Sequence, residues 1–275
     1  MIEKLKTLAN EKKSVHTLYL CYMYLTAKIT SAYIEVKSVF RKFGLCTKSY
    51  SKLIELEGKY KGERCFIIAT GPSLTIKDLE LLKNEHTISM NSICMLYDET
   101  TWRPDYLGVQ DDNVYKRIYP YLEKWGSNNV LISDEICKDK SKRKKWILFP
   151  YNGRYHAYEE RFRNKYFTKF SEDCGRIVYD GYSITYSLVQ IACYMGFKEI
   201  YLLGADCNYE KGKKNHIVEC GFVDSSFEHV QERLFCGYKK AKEYADMHHI
   251  KVYNATRGGM LEIFPRISLD ELILK

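Results

Sequence analysis

Residues 58–275 predict an α/β domain, a mostly parallel sheet with helices on both faces, and residues 1–57 a helical segment in front of it. Three observations lead there. Short, wholly apolar runs such as Cys65–Ala69 recur along the chain, as expected of strands covered on both faces. Helical or looped stretches separate them, the rhythm of a parallel sheet. The runs end on small or polar residues: Thr70-Gly71, Asn91, Gln110-Asp111-Asp112, Gly204-Ala205-Asp206 and Asn254. Open parallel sheets bind ligands just beyond such strand ends.

No proline or glycine interrupts residues 1–43, and apolar residues fall at roughly helical spacing with lysines between them. Two arrangements follow. One is a helical hairpin packed on the main domain or on another subunit of a homo-oligomer. The other is a basic amphipathic helix lying on a membrane, so that residues 1–50 make a peripheral contact. The apolar run Val15–Leu25 is too short to span a bilayer and lacks a following cleavage site. Beyond the polar linker Gly58–Glu63, strands are expected at Cys65–Ala69, His86–Met90, Tyr106–Val109, Val130–Ser133, Glu199–Leu203 and Lys251–Asn254. Helices are expected at Leu74–Leu82, Ser183–Met195, Phe227–His249 and Leu269–Leu274. The stretch from about 138 to 176 reads as a lid insertion. Its start, Lys138–Lys145, holds six basic residues and one acid, the mark of a solvated loop. Residues 207–226 read as a second polar loop.

Composition narrows the function classes. Ten cysteines are scattered singly with no CxxC pair, which reads as reduced thiols of a cytoplasmic protein. A zinc set of Cys207, Cys220, Cys236 and His216 matches no common module. The net charge of +8 is uneven, since residues 1–50 carry nine Lys/Arg against three Asp/Glu. A nucleic-acid binder spreads its basic residues over a folded face. The pattern here argues against nucleic acid and for anionic lipid or an acidic partner.

The Thr70-Gly71-Pro72-Ser73 turn is the first candidate site. Glycine permits close backbone approach to a ligand, proline suits a first helical position, and Ser73 would offer a hydroxyl and an N–H at a helix start. The same residues also make an ordinary strand-to-helix turn. Asn91 can pair with a base or ribose, or cap a turn. Asp111 and Asp112 can hold magnesium or a sugar hydroxyl, or cap a helix, and Asp206 is ambiguous in the same way. Among seven histidines, His229 and His216 flank the loop after Asp206, and His229 is preferred as a general base.

The blocks Phe66–Leu74, Met90-Asn91 and Gly196–Asp206 resemble the bacterial sialyltransferases of glycosyltransferase family 42, which use CMP-activated sialic acid. With Gly181–Ser183 and Asn254–Gly259 they also resemble the broader MptE-like domain. That group includes motility-associated flagellin glycosyltransferases and a 6-hydroxymethylpterin diphosphokinase. The resemblance covers about residues 62–270. It implies a Rossmann-like domain, a variant of the glycosyltransferase A type, with a small lid. It places the cytidine nucleotide on Gly71, Ser73 and Asn91, and the phosphate on Ser183 and Tyr209. His229 is the nearest match to the family base, about one helical turn out of register. Thr256 and Arg257, in the Asn254–Gly259 ending, join the substrate-binding candidates. Thr70 departs from the sialyltransferase pattern, which has asparagine there.

The resulting expectation is a glycosyltransferase taking a CMP-activated nonulosonic acid to a glycan or lipid-linked acceptor, by inverting displacement with a histidine base. Its setting would be capsule or lipopolysaccharide assembly at the inner face of the membrane. No cofactor is required, and magnesium stays open. The alternatives are a diphosphokinase using ATP and magnesium through Asp111, Asp112 or Asp206, and a non-catalytic nucleotide-binding scaffold.

Overall fold

The computed structural model describes residues 13–126, 128–208, 215–219, 221 and 229–273. Tyr209, Cys220 and most of the 207–226 loop lie outside these.

Seven strands form one parallel sheet: β1 (Arg64–Ile68), β2 (Thr87–Met90), β3 (Tyr106–Val109), β4 (Val130–Ser133), β5 (Ile147–Phe149), β8 (Glu199–Leu203) and β9 (Lys251–Asn254). Their order is β5-β4-β3-β2-β1-β8-β9. The two-residue strands β6 (Tyr151–Asn152) and β7 (Val178–Tyr179) pair separately. This is an α/β, Rossmann-like fold. Its order reverses between β1 and β8, so the ligand crevice belongs at their carboxyl ends.

The apolar strands alternate between two cores. Cys65 and Ile67 of β1 face one side with Leu188 and Ile191 of α7 (Ile184–Tyr194) and Ala241 of α8 (Val230–Met247). Phe66 and Ile68 face the other, with Leu79 of α3 (Ile76–Leu81), Ile118 and Leu122 of α4 (Asp112–Trp125) and Leu272 of α9 (Leu269–Ile273). Both faces are covered, which is why the strands carry no polar alternation.

Several expectations shift. Among the described residues the N-terminal segment holds one long helix, α1 (Lys13–Lys42), followed by a 3-10 turn at Lys48–Tyr50 and the four-residue α2 (Ser51–Ile54). Gly44 and Cys46, both at positive φ, end α1 and turn the chain. The basic run is not a loop. It forms α5 (Lys140–Lys145), because Asp139 caps it by accepting from the N–H groups of Ser141 and Lys142. The strand β5 then follows, unforeseen at only three residues. The 138–176 stretch thus carries regular elements. It closes the sheet edge and, with α6 (Ala157–Arg163), seats α1 through Tyr19 on Phe162 and Tyr24 on Tyr158, ring centroids 6.1 and 5.0 Å apart.

Helix α3 opens at Ile76, later than Pro72 or Leu74, because Thr75 and Asp78 form a reciprocal capping box. Fully buried Asp78 also accepts from Arg257 Nε at 2.7 Å, and the Arg257 fork meets both Asp270 oxygens at 2.8 Å. The arginine thus ties α3 to the carboxyl-terminal α9. Asp78→Ala removes the cap and the buried partner together. It should lower stability by about 3 kcal/mol, read as a fall in the urea midpoint at unchanged slope, whereas Asp270→Ala, at the exposed end, should shift the midpoint far less.

Candidate functional site

A cavity sits at the carboxyl ends of β1, β2 and β8, at the sheet reversal. Its walls include Thr70, Gly71, Asn91, Ser183, Asp206 and His216. Residues far apart in sequence meet here because all but His216, which a loop segment brings in, follow a strand end or open a helix on one edge of the sheet.

Gly71 is the tightest point. Its N–H donates to the Gly204 carbonyl at 2.8 Å. A Cβ on it would lie 1.9 Å from Asp206 Oδ2 and 2.3 Å from Gly204 O, so no other residue fits. Ser73 Oγ donates to Asp206 Oδ2 at 2.9 Å. Burial pushes the Asp206 carboxyl up, and the Ser73 hydroxyl partly offsets that by stabilising the anion. Ser73 is therefore spoken for by Asp206, and Pro72 is exposed in the turn.

Asn91 lines the cavity in left-handed backbone, φ 50°, a conformation asparagine tolerates better than most residues. Among the described residues its side-chain amide has no hydrogen-bond partner. Tyr182 (φ 67°) and Cys207 (φ 51°) are two more non-glycine residues held at positive φ beside the cavity. Strain of this kind concentrates at functional sites.

Ser183 is the N-cap of α7, its Oγ accepting from Thr185 N at 3.1 Å. The amino end of this eleven-residue helix faces the cavity through Ile184 and Thr185, an electropositive end suited to an anion. A network that sequence reasoning missed holds it there. Asp180 accepts from Tyr182 N and Gln110 Nε2 and meets His156 Nε2 at 3.0 Å. The Tyr182 ring stacks on His156 at 4.3 Å, and Gln110 accepts from Ser187 of α7. The one local clue was Gln110 standing directly after β3.

His216 Nδ1 lies 3.0 Å from Thr70 Oγ1, and Ile217 N donates to Thr70 O at 2.8 Å. The segment Asn215–Glu219 thus folds down on the β1 turn. Burial pulls the His216 pKa below its ordinary 6.5, against the raising effects of Glu219 and Thr70, and so favours the neutral ring. His229 stands elsewhere, just before α8, with Nδ1 3.5 Å from Glu232, and does not line the cavity.

The remaining candidates fall outside the cavity. Asp111 caps α4, accepting from Asn113 and Val114 N–H, and Asp112 pairs with Lys116 at 2.5 Å. Thr256 is buried, accepting from Ala205 N at 3.0 Å. Arg257 is held by Asp78 and Asp270. Among the described residues no three of His, Cys, Asp and Glu converge on a metal-sized point.

Two outcomes follow. Gly71→Ala must push the Asp206 loop away, costing about 1–3 kcal/mol in chemical unfolding and disrupting ligand binding. His216 should titrate below 6.5 when followed by its imidazole NMR signals. Since the unfolded ring takes up protons first, the stability that its neutral form maintains is lost as pH falls from 6.5 through the folded-state value.

A family model described as 6-hydroxymethylpterin diphosphokinase MptE-like matches residues 39–212. No curated protein matches the sequence. Among solved structures, the chain is similar to a MAf glycosyltransferase from Magnetospirillum magneticum AMB-1, with 16% identity, a TM-score of 0.49, and coverage of 78% of this chain and 35% of that one. This chain therefore spans about a third of that protein's length. It is also similar to the sialyltransferase CstII from Campylobacter jejuni, solved with cytidine-5'-monophosphate, at 16% identity and TM-score 0.45 over 76% of this chain and 86% of that one. The family match covers well over half of the 275 residues, and the protein belongs to the MptE-like family.

Proposed function

We propose that the protein is a glycosyltransferase that uses a CMP-activated nonulosonic acid. The observation that carries this reading is a convergence. The blocks resembling the sialyltransferases, Phe66–Leu74, Met90-Asn91 and Gly196–Asp206, all reach one cavity, where Ser183 of the MptE-like block joins them and the Asn91 amide stands unengaged among the described residues.

In this reading the Gly71 turn and Asn91 hold the cytidine nucleoside. Asp206, a buried carboxylate, suits sugar hydroxyls rather than a phosphate. The phosphate goes to the amide end of α7 beside Ser183, where preorganised donors stabilise the charge that develops as CMP departs. The acceptor hydroxyl oxygen attacks the anomeric carbon, the bond to the phosphate oxygen breaks, and CMP leaves with the electron pair. His216 takes the acceptor proton. It is favoured over His229 because it lines the cavity. The cavity is about 80 Å³, well below the roughly 300 Å³ a small-molecule ligand needs. Donor entry therefore requires Asn215–Glu219 to lift from Thr70. The acceptor in this reading is a glycan or lipid-linked sugar of a bacterial surface polysaccharide.

The family's diphosphokinase description favours one second reading, ATP with magnesium. Asp206 is the carboxylate that would hold the ion, which would neutralise phosphate charge when bound; one carboxylate with phosphate oxygens is an ordinary magnesium set. Thermal melting separates the two readings. CMP or CTP should raise the melting temperature without metal, and Asn91→Ala should abolish the shift. Stabilisation by ATP with magnesium alone would turn the assignment to the kinase. With a matched donor and acceptor, His216→Ala should lower kcat by about 10²–10⁴-fold and His229→Ala should leave it near wild type. The opposite ranking would return the base to His229.

A further inference from the structure

Helix α1 is amphipathic the wrong way round for a soluble helix. Its body-facing positions include polar residues: Ser31, Ser38 and Arg41 are buried, and Glu35 is engaged by Lys169 and the Tyr179 hydroxyl. Its outward face is apolar. Leu18, Leu25, Ile29, Val36 and Phe40 recur at helical spacing, with Phe43 just beyond, and these six are 48–72% exposed. An exposed apolar surface this long marks a contact with something else.

Beside this stripe, between α1 and the body, lies a cleft of about 700 Å³. It sits under α1, apart from the nucleotide cavity, and shares no lining residue with it. Lys37, Arg41, Lys48, Arg143, Arg154 and Arg161 line it. Its two carboxylates are already engaged, Glu135 by Arg154 and Asp134 by Tyr50 Oη and Tyr151 N. Arg41 is the telling residue. It is 6% exposed, and its bond, from Nε to Arg176 O at 2.6 Å, goes to a neutral carbonyl. Among the described residues no carboxylate pairs with Arg41, Lys37, Lys48 or Arg161. A buried guanidinium without a counter-charge is costly, and an anion in the cleft would offset that cost.

The two features point to one occupant. A second copy of the chain would bring Lys37 and Lys42 against their own kind, with no free carboxylate on α1 to answer them. An anionic bilayer complements both the stripe and its flanking lysines. No described helix is long and apolar enough to cross a membrane. We propose that α1 lies in the surface of an anionic bilayer, its apolar stripe among the acyl chains, and that the adjoining cleft receives a lipid phosphate headgroup. Tyr33, half out of the helix surface and also lining the cleft, joins the two.

Flotation of the full chain tests this, using phosphatidylcholine vesicles with and without phosphatidylglycerol. The protein should float only with the anionic vesicles. Ile29→Glu with Phe40→Glu should cut partitioning by roughly tenfold or more, and Lys37→Ala and Lys48→Ala by about fivefold each. All four positions lie outside the core, so unchanged circular dichroism and melting will confirm folding. Flotation indifferent to these substitutions overturns the proposal. So does a dimer in sedimentation that Ile29→Glu dissolves, without flotation, since the stripe would then belong to a second copy. Stabilisation by inorganic diphosphate, lost in Lys48→Ala and again without flotation, assigns the cleft to a soluble anion and equally overturns it.

Discussion

The approach of Gly71 to Asp206 and Gly204 is the contact on which the ligand edge of the sheet depends. Three strand ends meet there. The β1 turn donates from Gly71 and Ser73, β8 supplies Gly204 and Asp206, and the loop after β9 returns through Met260 N to Asp206 O at 2.7 Å. Gly259 is part of the same knot, since a Cβ on it would sit 2.3 Å from Asp206 O. Glycines at 71, 204 and 259 let three backbones pack where side chains would force them apart. The cavity stands beside this crowded point. Its floor at the β1–β8 edge therefore follows from backbone packing.

That geometry divides the cavity electrostatically. Asp206 places negative charge on the β1–β8 side, where burial already disfavours its ionised form. A phosphate there would add repulsion. The start of α7 lies on the other side and offers backbone N–H groups and the positive end of a helix dipole. A nucleotide bound as proposed would be oriented by sign, its hydroxyls toward Asp206 and its phosphate toward Ser183. The His156–Asp180–Gln110 network matters because it fixes Tyr182 in left-handed backbone and so aims the α7 start. The network is wholly buried at His156, and a buried polar group of this kind is tolerated only when satisfied.

What could be read in advance follows from how far each signal reaches along the chain. Strand β1 and the Ser183 cap are written in consecutive residues and stand within a residue or two of expectation, whereas the helix after the Gly71 turn opens only at Ile76, behind the Thr75 cap. Strand β5 was not legible, because three apolar residues behind a basic run carry no period. The capped start of α5 was legible in principle, since Asp139 precedes the run directly, but the charge outweighed the cap. The Thr70–His216 contact spans 146 residues and the Asp78–Arg257 tie 179. Nothing local announces either. The histidine question accordingly turned on tertiary placement, as did the finding that Arg257 serves the α3–α9 junction.

The same reasoning explains why helical period alone could not decide what α1 does. An apolar stripe on a surface helix normally faces the core, and from sequence that would be the default for Leu18, Leu25, Ile29, Val36 and Phe40. The body refuses the stripe because its seat is polar and aromatic: Asn152 meets Ser31, Lys169 and Tyr179 take Glu35, and Arg176 O takes Arg41. A core-facing stripe would leave those groups unpaired, at about 1–3 kcal/mol each. Turning the polar side inward satisfies them and leaves the apolar side out. The cost of that exposure in water is recovered only when something apolar covers it. The orientation of α1 is therefore a statement by the body of the protein about its surroundings, one that residues 13–42 by themselves do not contain.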